Sequence, residues 1–266
     1  MKKNQNIEKN IDNQRSGVSV ADFFYPQIAP EETQTIDKST DGVYRRFLHV
    51  VFDNVISPNQ INQFRGGFIN AVGKEHAIFH NHSPNGYIYK YPLVQYKIYK
   101  KNLPSILCIE QGVDEIYHFF NKKDWTIDIQ GTKHRLNVDQ LNLYDAFFRV
   151  ITTQKQYKIF NWLALSQHNY YEYILARSLK QKITQLEKIL IGNILSMAKG
   201  LDWFIDKKIT LEIDNIDKIN LIKFKNNTLM AFDVTFHANV ILPNNIGLGK
   251  GVSNGFGVLR KITQKS

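Results

Sequence analysis

Arg45–Asn54 (RRFLHVVFDN) alternates apolar and polar positions and is rich in β-forming residues, which predicts a strand. Ser57-Pro58 supplies a helix cap and a first-turn proline, and the helix it starts runs to about Val72. Two further strands are predicted at YIYKYPLVQYKIY (87–99) and LPSILCIE (103–110), joined by a Lys-Lys-Asn turn. QGVDEIYHFFN (111–121) reads as a short helix and WTIDIQG (125–131) as a strand. The resulting order, β-α-β-β-α-β, is that of a ferredoxin-like unit.

The second half repeats this order more loosely. IFNWLALS (159–166) reads as a strand, and a helical region follows from His168 to about Lys199. Its apolar positions Tyr173, Ile174, Leu179, Ile183, Leu186, Leu190 and Ile194 are mostly three to five residues apart, and Gly192 is the expected break or kink. KKITLEID (207–214), INLIKFKN (219–226) and TLMAFDVTFHANVIL (228–242) predict three strands. The fold class expected is α+β, with tandem ferredoxin-like (RRM-like) domains, each an antiparallel sheet with helices on one face. The domains are expected at residues 41–140 and 141–266, behind a polar N-terminal arm at 1–40. A sheet of this kind presents a second face that RNA can use.

Composition narrows the partners. Hydrophobic residues make up 43% of the 266 positions, enough for real cores, and the formal net charge is +10. Excess positive charge favours nucleic acid or an anionic membrane as partner. The single cysteine, Cys108, excludes a disulfide framework and a Cys-rich zinc site, and its ILCIE setting is that of a core thiol. The apolar runs are too short to span a bilayer, and MKKNQNIEKN lacks a signal-peptide core, so a cytoplasmic location without membrane association is expected.

Near the C-terminus, GLGKGVSNGFG carries Gly247, Gly249, Gly251, Gly255 and Gly257, with Lys250 inside the run and Arg260-Lys261 just after it. So many glycines imply a backbone that passes close to something large, and the cations suggest that this neighbour carries phosphates. No Gly-x-Gly-x-x-Gly register fits, and no Ser or Thr follows Lys250. A nucleic-acid backbone is the better reading, contacted by these glycines, Lys250, Arg260 and Lys261. A small-molecule nucleotide-binding enzyme is the reading these failed registers argue against.

Three of the eight histidines, His76, His80 and His82, fall in EHAIFHNHSPNG. If this stretch is extended, His80 and His82 share a face. Histidine titrates near neutral pH and serves as general base or acid. A metal reading of the three lacks a fourth ligand beyond the adjacent Glu75, so no metal ligand and no cofactor is assigned. Tyr87, Tyr89, Tyr91, Tyr96 and Tyr99 interleave with Lys90, Lys97, Lys100 and Lys101, a pattern that suits stacking rings and phosphate contacts or, equally, a half-buried strand. Arg65, beside Gly66 and Gly67, is positioned to reach phosphate, and Arg177 and Lys180 open a basic helix that can lie along an RNA stem.

The blocks QFRGGFINAVGKEHAIFHNHSPNGYIYKYPLVQYK, ALSQHNYYEYI…LEKILIGNILSMAKGLDW and GLGKGVSNGFGVLRK resemble the CRISPR-associated Cas-six endoribonucleases of the b subtype, within the repeat-associated mysterious protein superfamily. The resemblance runs from about Tyr44 to Lys261. It implies two ferredoxin-like domains that bind the CRISPR repeat of a precursor transcript and cut it once per repeat without metal. The family's base, in or after the first helix, maps to His80 or His82, with His80 ahead because Phe79 can pin it against the core. The resemblance is compatible with a homodimer and with association with an interference complex. The alternative reading is a non-catalytic CRISPR RNA-binding subunit, which would lack a positioned base.

Overall fold

The computed structural model describes residues 42–80, 90–224 and 227–263, and the backbone of two short strands at 82–83 and 86–87. Strand β1 (Gly42–Phe52) is buried on both faces from Phe47 to Phe52, because it lies inside a sheet and hydrogen-bonds along both edges. A 3₁₀ turn at Pro58–Gln60 leads into helix α1 (Ile61–Val72), and the Ser57 N–H donates to Gln60 Oε1 at 2.9 Å to close its entry. After the short strands β2 (His82–Ser83) and β3 (Gly86–Tyr87) come β4 (Val94–Ile98) and β5 (Pro104–Ile109). Their turn turns back through Lys101 and Asn102 with φ of 57° and 61°. Helices α2 (Gln111–Glu115) and α3 (Tyr117–Phe120) complete the predicted helical stretch.

The last strand of the first unit is not WTIDIQG. That segment forms β6 (Thr126–Ile129), which pairs with β7 (Thr132–Arg135) in a separate hairpin. Gln130 and Gly131, both at positive φ, make its two-residue turn. Gly67 of α1 packs directly on the Asp128 backbone, where any side chain would collide. Gly67 thus lets the protein's own hairpin approach α1 closely. The fourth strand is β8 (Val138–Trp162), 25 residues long, and the sequence reading identified only its end. With it the spatial order β4-β5-β1-β8 is the ferredoxin-like arrangement, antiparallel throughout.

β8 also begins the second unit. Helices α4 (Gln167–Leu175) and α5 (Leu179–Gly200) follow, then β9 (Leu211–Phe224), β10 (Asn227–Ile241) and β11 (Val258–Lys261). β10 and β11 pair with the same stretch of β8 around Ile159 from opposite sides, giving the order β11-β8-β10-β9. The glycine-rich loop stands where a second helix would stand. The pairing slips between Val150 and Lys155 of β8, opposite Val240 and Ala238. Three extra residues reverse the alternation, so Ala146, Phe148 and Val150 are buried before the slip and Tyr157 and Ile159 after it. This irregular, polar middle hid the strand from a period-two search.

Two further expectations are corrected. The strands read at 207–214 and 219–226 are one bulged strand, β9, paired along its length with β10. The helical region breaks at 176–178, not at Gly192, because the Ser178 side chain accepts from Gln181 N–H at 3.2 Å and restarts the helix. α5 then runs unbroken through Gly192, and its Leu186, Leu190, Ile194 and Met197 join the larger core. Among the described residues, no helix is long and apolar enough to cross a membrane.

Candidate histidine site and nucleic-acid interface

α1 ends at Gly73, whose φ of 121° turns the chain into the histidine-bearing loop. Phe79 anchors this loop: it is 1% exposed and packs on Phe68 with ring centroids 6.0 Å apart. Burying such a ring contributes about 2 kcal/mol. The Tyr96 hydroxyl donates to the Phe79 carbonyl at 3.4 Å, and the Arg65 guanidinium to the His80 carbonyl at 3.1 Å. His80 closes a 3₁₀ turn with ψ near −2°, so the run from His80 to His82 is not extended at its first residue. Its Nε2 lies 2.8 Å from the Lys74 carbonyl oxygen. A carbonyl can only accept, so Nε2 holds the proton of the neutral ring and Nδ1 is its basic nitrogen. His82 stands opposite Tyr87 in the β2–β3 pair, and the side chains of 81–89 lie outside the described residues.

The same loop walls a cleft of about 1070 Å³ that also takes in Lys90, Glu110–Gln111, Glu115 and the C-terminal end of α5. Arg45 crosses its floor, with Nε donating to the Leu201 carbonyl at 2.7 Å and a terminal nitrogen to that of Asp202 at 2.8 Å. These carbonyls lie at the negative pole of α5, where a cation is favoured. Lys90 and Lys199 add positive charge to the lining.

The glycine loop is fastened to β4. Gly247 N–H donates to Gln95 Oε1 at 3.0 Å, and the Gly247 carbonyl accepts from Tyr91 at 2.7 Å. Gly249 (φ 91°) lies against the Trp162 indole, and Gly257 (φ 64°) against the Leu248 backbone. Their freedom is thus used against the protein's own chain. Lys250 is exposed on the loop, with Nζ donating to the Leu165 carbonyl at 2.9 Å.

On one face of β1, β4 and β5, four polar side chains are buried: His49, Gln95, Lys97 and Ser105. Lys97 Nζ and His49 Nε2 have no hydrogen-bond partner among the described residues. Desolvation, with the nearby Arg260 charge adding to it, lowers the Lys97 ammonium to about 7. Desolvation and the charges of Lys97 and Arg260 lower His49 to about 4. Arg260 itself lies over the Tyr99 ring, 5.6 Å from its centroid.

Two family models account for most of the chain: the Cas6b N-terminal domain matches residues 46–146 and the Cas6b C-terminal domain residues 149–262. The chain belongs to the Cas6b family. A solved Cas6b crystal structure is 28% identical, with a TM-score of 0.74 over 83% of this chain and 100% of its own. A second, titled as the CRISPR RNA processing endoribonuclease Cas6b, is 26% identical with a TM-score of 0.63 over the same shares. An uncharacterized protein of Methanocaldococcus jannaschii, MJ0978, is 33% identical over 145 residues, 48% of this chain and 97% of its own.

In this Cas6b chain the sequence-predicted site residues fall into separate groups. Arg65 meets His80, and Lys90 faces the cleft. Gly247 through Gly257, Lys250, Arg260 and Lys261 lie on the loop and strand that cover β4 and β8. Arg177 and Lys180 are exposed at the far end of α5 from the cleft, about 30 Å along the helix. Lys97 is 2% exposed, so direct phosphate contact is closed to it in this conformation. Tyr96 is likewise packed inside, among Phe64 and Phe68, and offers no stacking face, whereas Tyr91 is half-buried between the glycine loop and the cleft. Arg45 and Lys199 were missed, because only tertiary folding brings Arg45 to residues 156 positions away. Glu115 and His118 were legible as a Glu-x-x-His pair in a short helical stretch.

Proposed function

We propose that this Cas6b protein is a metal-independent endoribonuclease that cuts CRISPR precursor transcripts within the repeat. The observation that carries this reading is the match to both Cas6b domains, which spans the histidine loop and the glycine loop alike. In the proposed reaction, His80 or His82 takes the proton from the 2′-hydroxyl, whose oxygen bonds to the adjacent phosphorus. The phosphorus–O5′ bond breaks, and a protonated group returns a proton to the leaving oxygen. The products are a 2′,3′-cyclic phosphate and a 5′-hydroxyl. The ring orientation of His80, with Nδ1 as its basic nitrogen, supports the first step. Arg65 supports it by holding the His80 carbonyl and so the loop.

Lys90, Lys250, Arg260, Lys261, Arg177 and Lys180, with the glycine loop, form the proposed contact set for RNA backbone. Residues 41–140 and 141–266 form the two proposed functional halves, with the joint falling inside β8. The test is incubation with end-labelled repeat RNA in excess EDTA, followed by end-group analysis. Cleavage persists and leaves the cyclic phosphate; products that end in a 3′-hydroxyl and a 5′-phosphate overturn the metal-free mechanism. His80→Ala or His82→Ala lowers the cleavage rate by about 10²–10⁴-fold with repeat binding largely kept. Normal cutting by both variants would overturn the site assignment.

A further inference from the structure

On the cleft wall, four residues before His80, His76 faces two side chains from the α2–α3 corner. Its Nδ1 lies 3.5 Å from Glu115 Oε2, and His118 Nε2 lies 3.5 Å from the same oxygen. The two imidazole rings are 4.0 Å apart at 31°. One donor atom from each of the three residues falls within 4.8 Å of the others. A charge-assisted hydrogen bond draws such atoms to about 2.7–2.9 Å. Around a tetrahedral zinc ion with bonds near 2.1 Å, neighbouring donors stand about 3.4 Å apart. Glu115 Oε2 therefore lies beyond hydrogen-bond length from both imidazoles and close to the donor separation around an ion.

We propose that His76, Glu115 and His118 bind a zinc-class divalent cation that clips the histidine loop to the α2–α3 corner. Two imidazoles and one carboxylate suit zinc and cobalt, whereas magnesium prefers all-oxygen surroundings. Glu115 and His118, three residues apart, share a helical face as paired ligands require. The outward nitrogen of His76, Nε2, faces the Glu75 carboxylate at 3.8 Å, beyond hydrogen-bond length. His76 and Glu115 line the open cleft, which gives the ion a path in. The clip fixes the chain leading to His80 and takes no part in bond breaking. It gains its purpose from the RNA-processing reading, but binding of the ion can be measured without RNA.

The experiment is titration of chelator-stripped, full-length protein with Zn²⁺, and with Co²⁺ followed by its visible absorption, against Mg²⁺ as control. One Zn²⁺ binds per chain, Co²⁺ develops tetrahedral bands, and a hundredfold excess over Kd raises Tm by about 5 °C or more. His118→Ala weakens binding at least about tenfold, and Glu115→Gln does so as well. Both positions are partly exposed, so the variants keep the fold, and a Tm equal to that of the stripped wild type checks this. Absence of Zn²⁺ binding, or binding undiminished in both variants, overturns the proposal. A protein that binds the ion but leaves repeat RNA uncut keeps the clip and sinks the processing reading. A protein that cuts but binds no ion does the reverse.

Discussion

On one face of the strands β1, β4 and β5, Leu48, Val50, Val94, Tyr96, Ile106 and Cys108 pack beneath α1 and α3, with Phe64, Phe68 and Phe119 filling the space. On the opposite face, His49, Gln95, Lys97 and Ser105 alternate with Val51 and Leu107, and they are buried just as deeply. The first face is dry because its own helices cover it. The second is covered by the other half of the chain: the glycine loop seats on Gln95, and Arg260 approaches Lys97 and Tyr99. The first burial is rewarded by transfer of apolar surface from water. The second encloses a lysine, a histidine and a nearby arginine, with no carboxylate of the described residues acting on them, and it lowers the proton affinity of both titrating groups. A face that the sequence marks as open to RNA is therefore an internal seam, and its charge makes it the costly side of the sheet.

The largest effect is expected on the apolar face. Phe68→Ala removes a fully buried ring that touches Phe64, Phe79 and Phe119, and urea unfolding should find a loss of about 3–5 kcal/mol. Lys97→Met tests the seam and should act in the opposite direction. The unfolded chain holds the lysine proton up to 10.5, and the folded chain only up to about 7. The unfolded state thus binds more protons across that window, and wild-type stability rises with pH from about 7 to about 10.5. Below pH 7 the whole cost is present, so the variant should be more stable there by on the order of a few kcal/mol, with that pH slope gone. A variant less stable than wild type at pH 7 would mean that Lys97 has a buried anionic partner.

Gln95→Ala strips the glycine loop of its fastening, leaving Gly247 N–H unpaired, and should cost about 1–3 kcal/mol in the same assay. If the loop also holds RNA, this change weakens repeat binding although Gln95 is itself fully buried. The smallest expected effect is that of Arg260→Gln. Removing one neighbouring cation should move the onset of the Lys97-dependent rise in stability upward by less than about one pH unit. No movement would show that desolvation alone sets the lysine.

The regular elements were legible where burial and periodicity agree. Ser57-Pro58 marked α1, and the Lys-Lys-Asn turn marked the β4–β5 hairpin. The reading failed where one strand serves two units. β8 carries an irregular polar middle between Val150 and Lys155, and its partners β1, β10 and β11 come from both ends of the chain. The helix break at Ser178 was present as a Ser-x-x-Gln capping box but was outweighed by the more visible Gly192. In the candidate site, the loop holding His80 stood out by its histidine density, and Phe79 is the anchor that the reading expected. The Arg65 contact and the Arg45 clamp had no local signal.

By itself, the sequence determined β1, α1 and the β4–β5 hairpin, the basic character, the family and the histidine loop, because periodicity, capping and composition act over a few residues. Tertiary structure alone decided which sheet face is hidden, that Lys97 lies inside, and that the glycines close on Trp162 and Leu248 of the same chain. It also decided that His76 meets Glu115 and His118. The physical reason is common to all of these: burial and charge pairing depend on what the other half of the chain brings, and no local pattern records that.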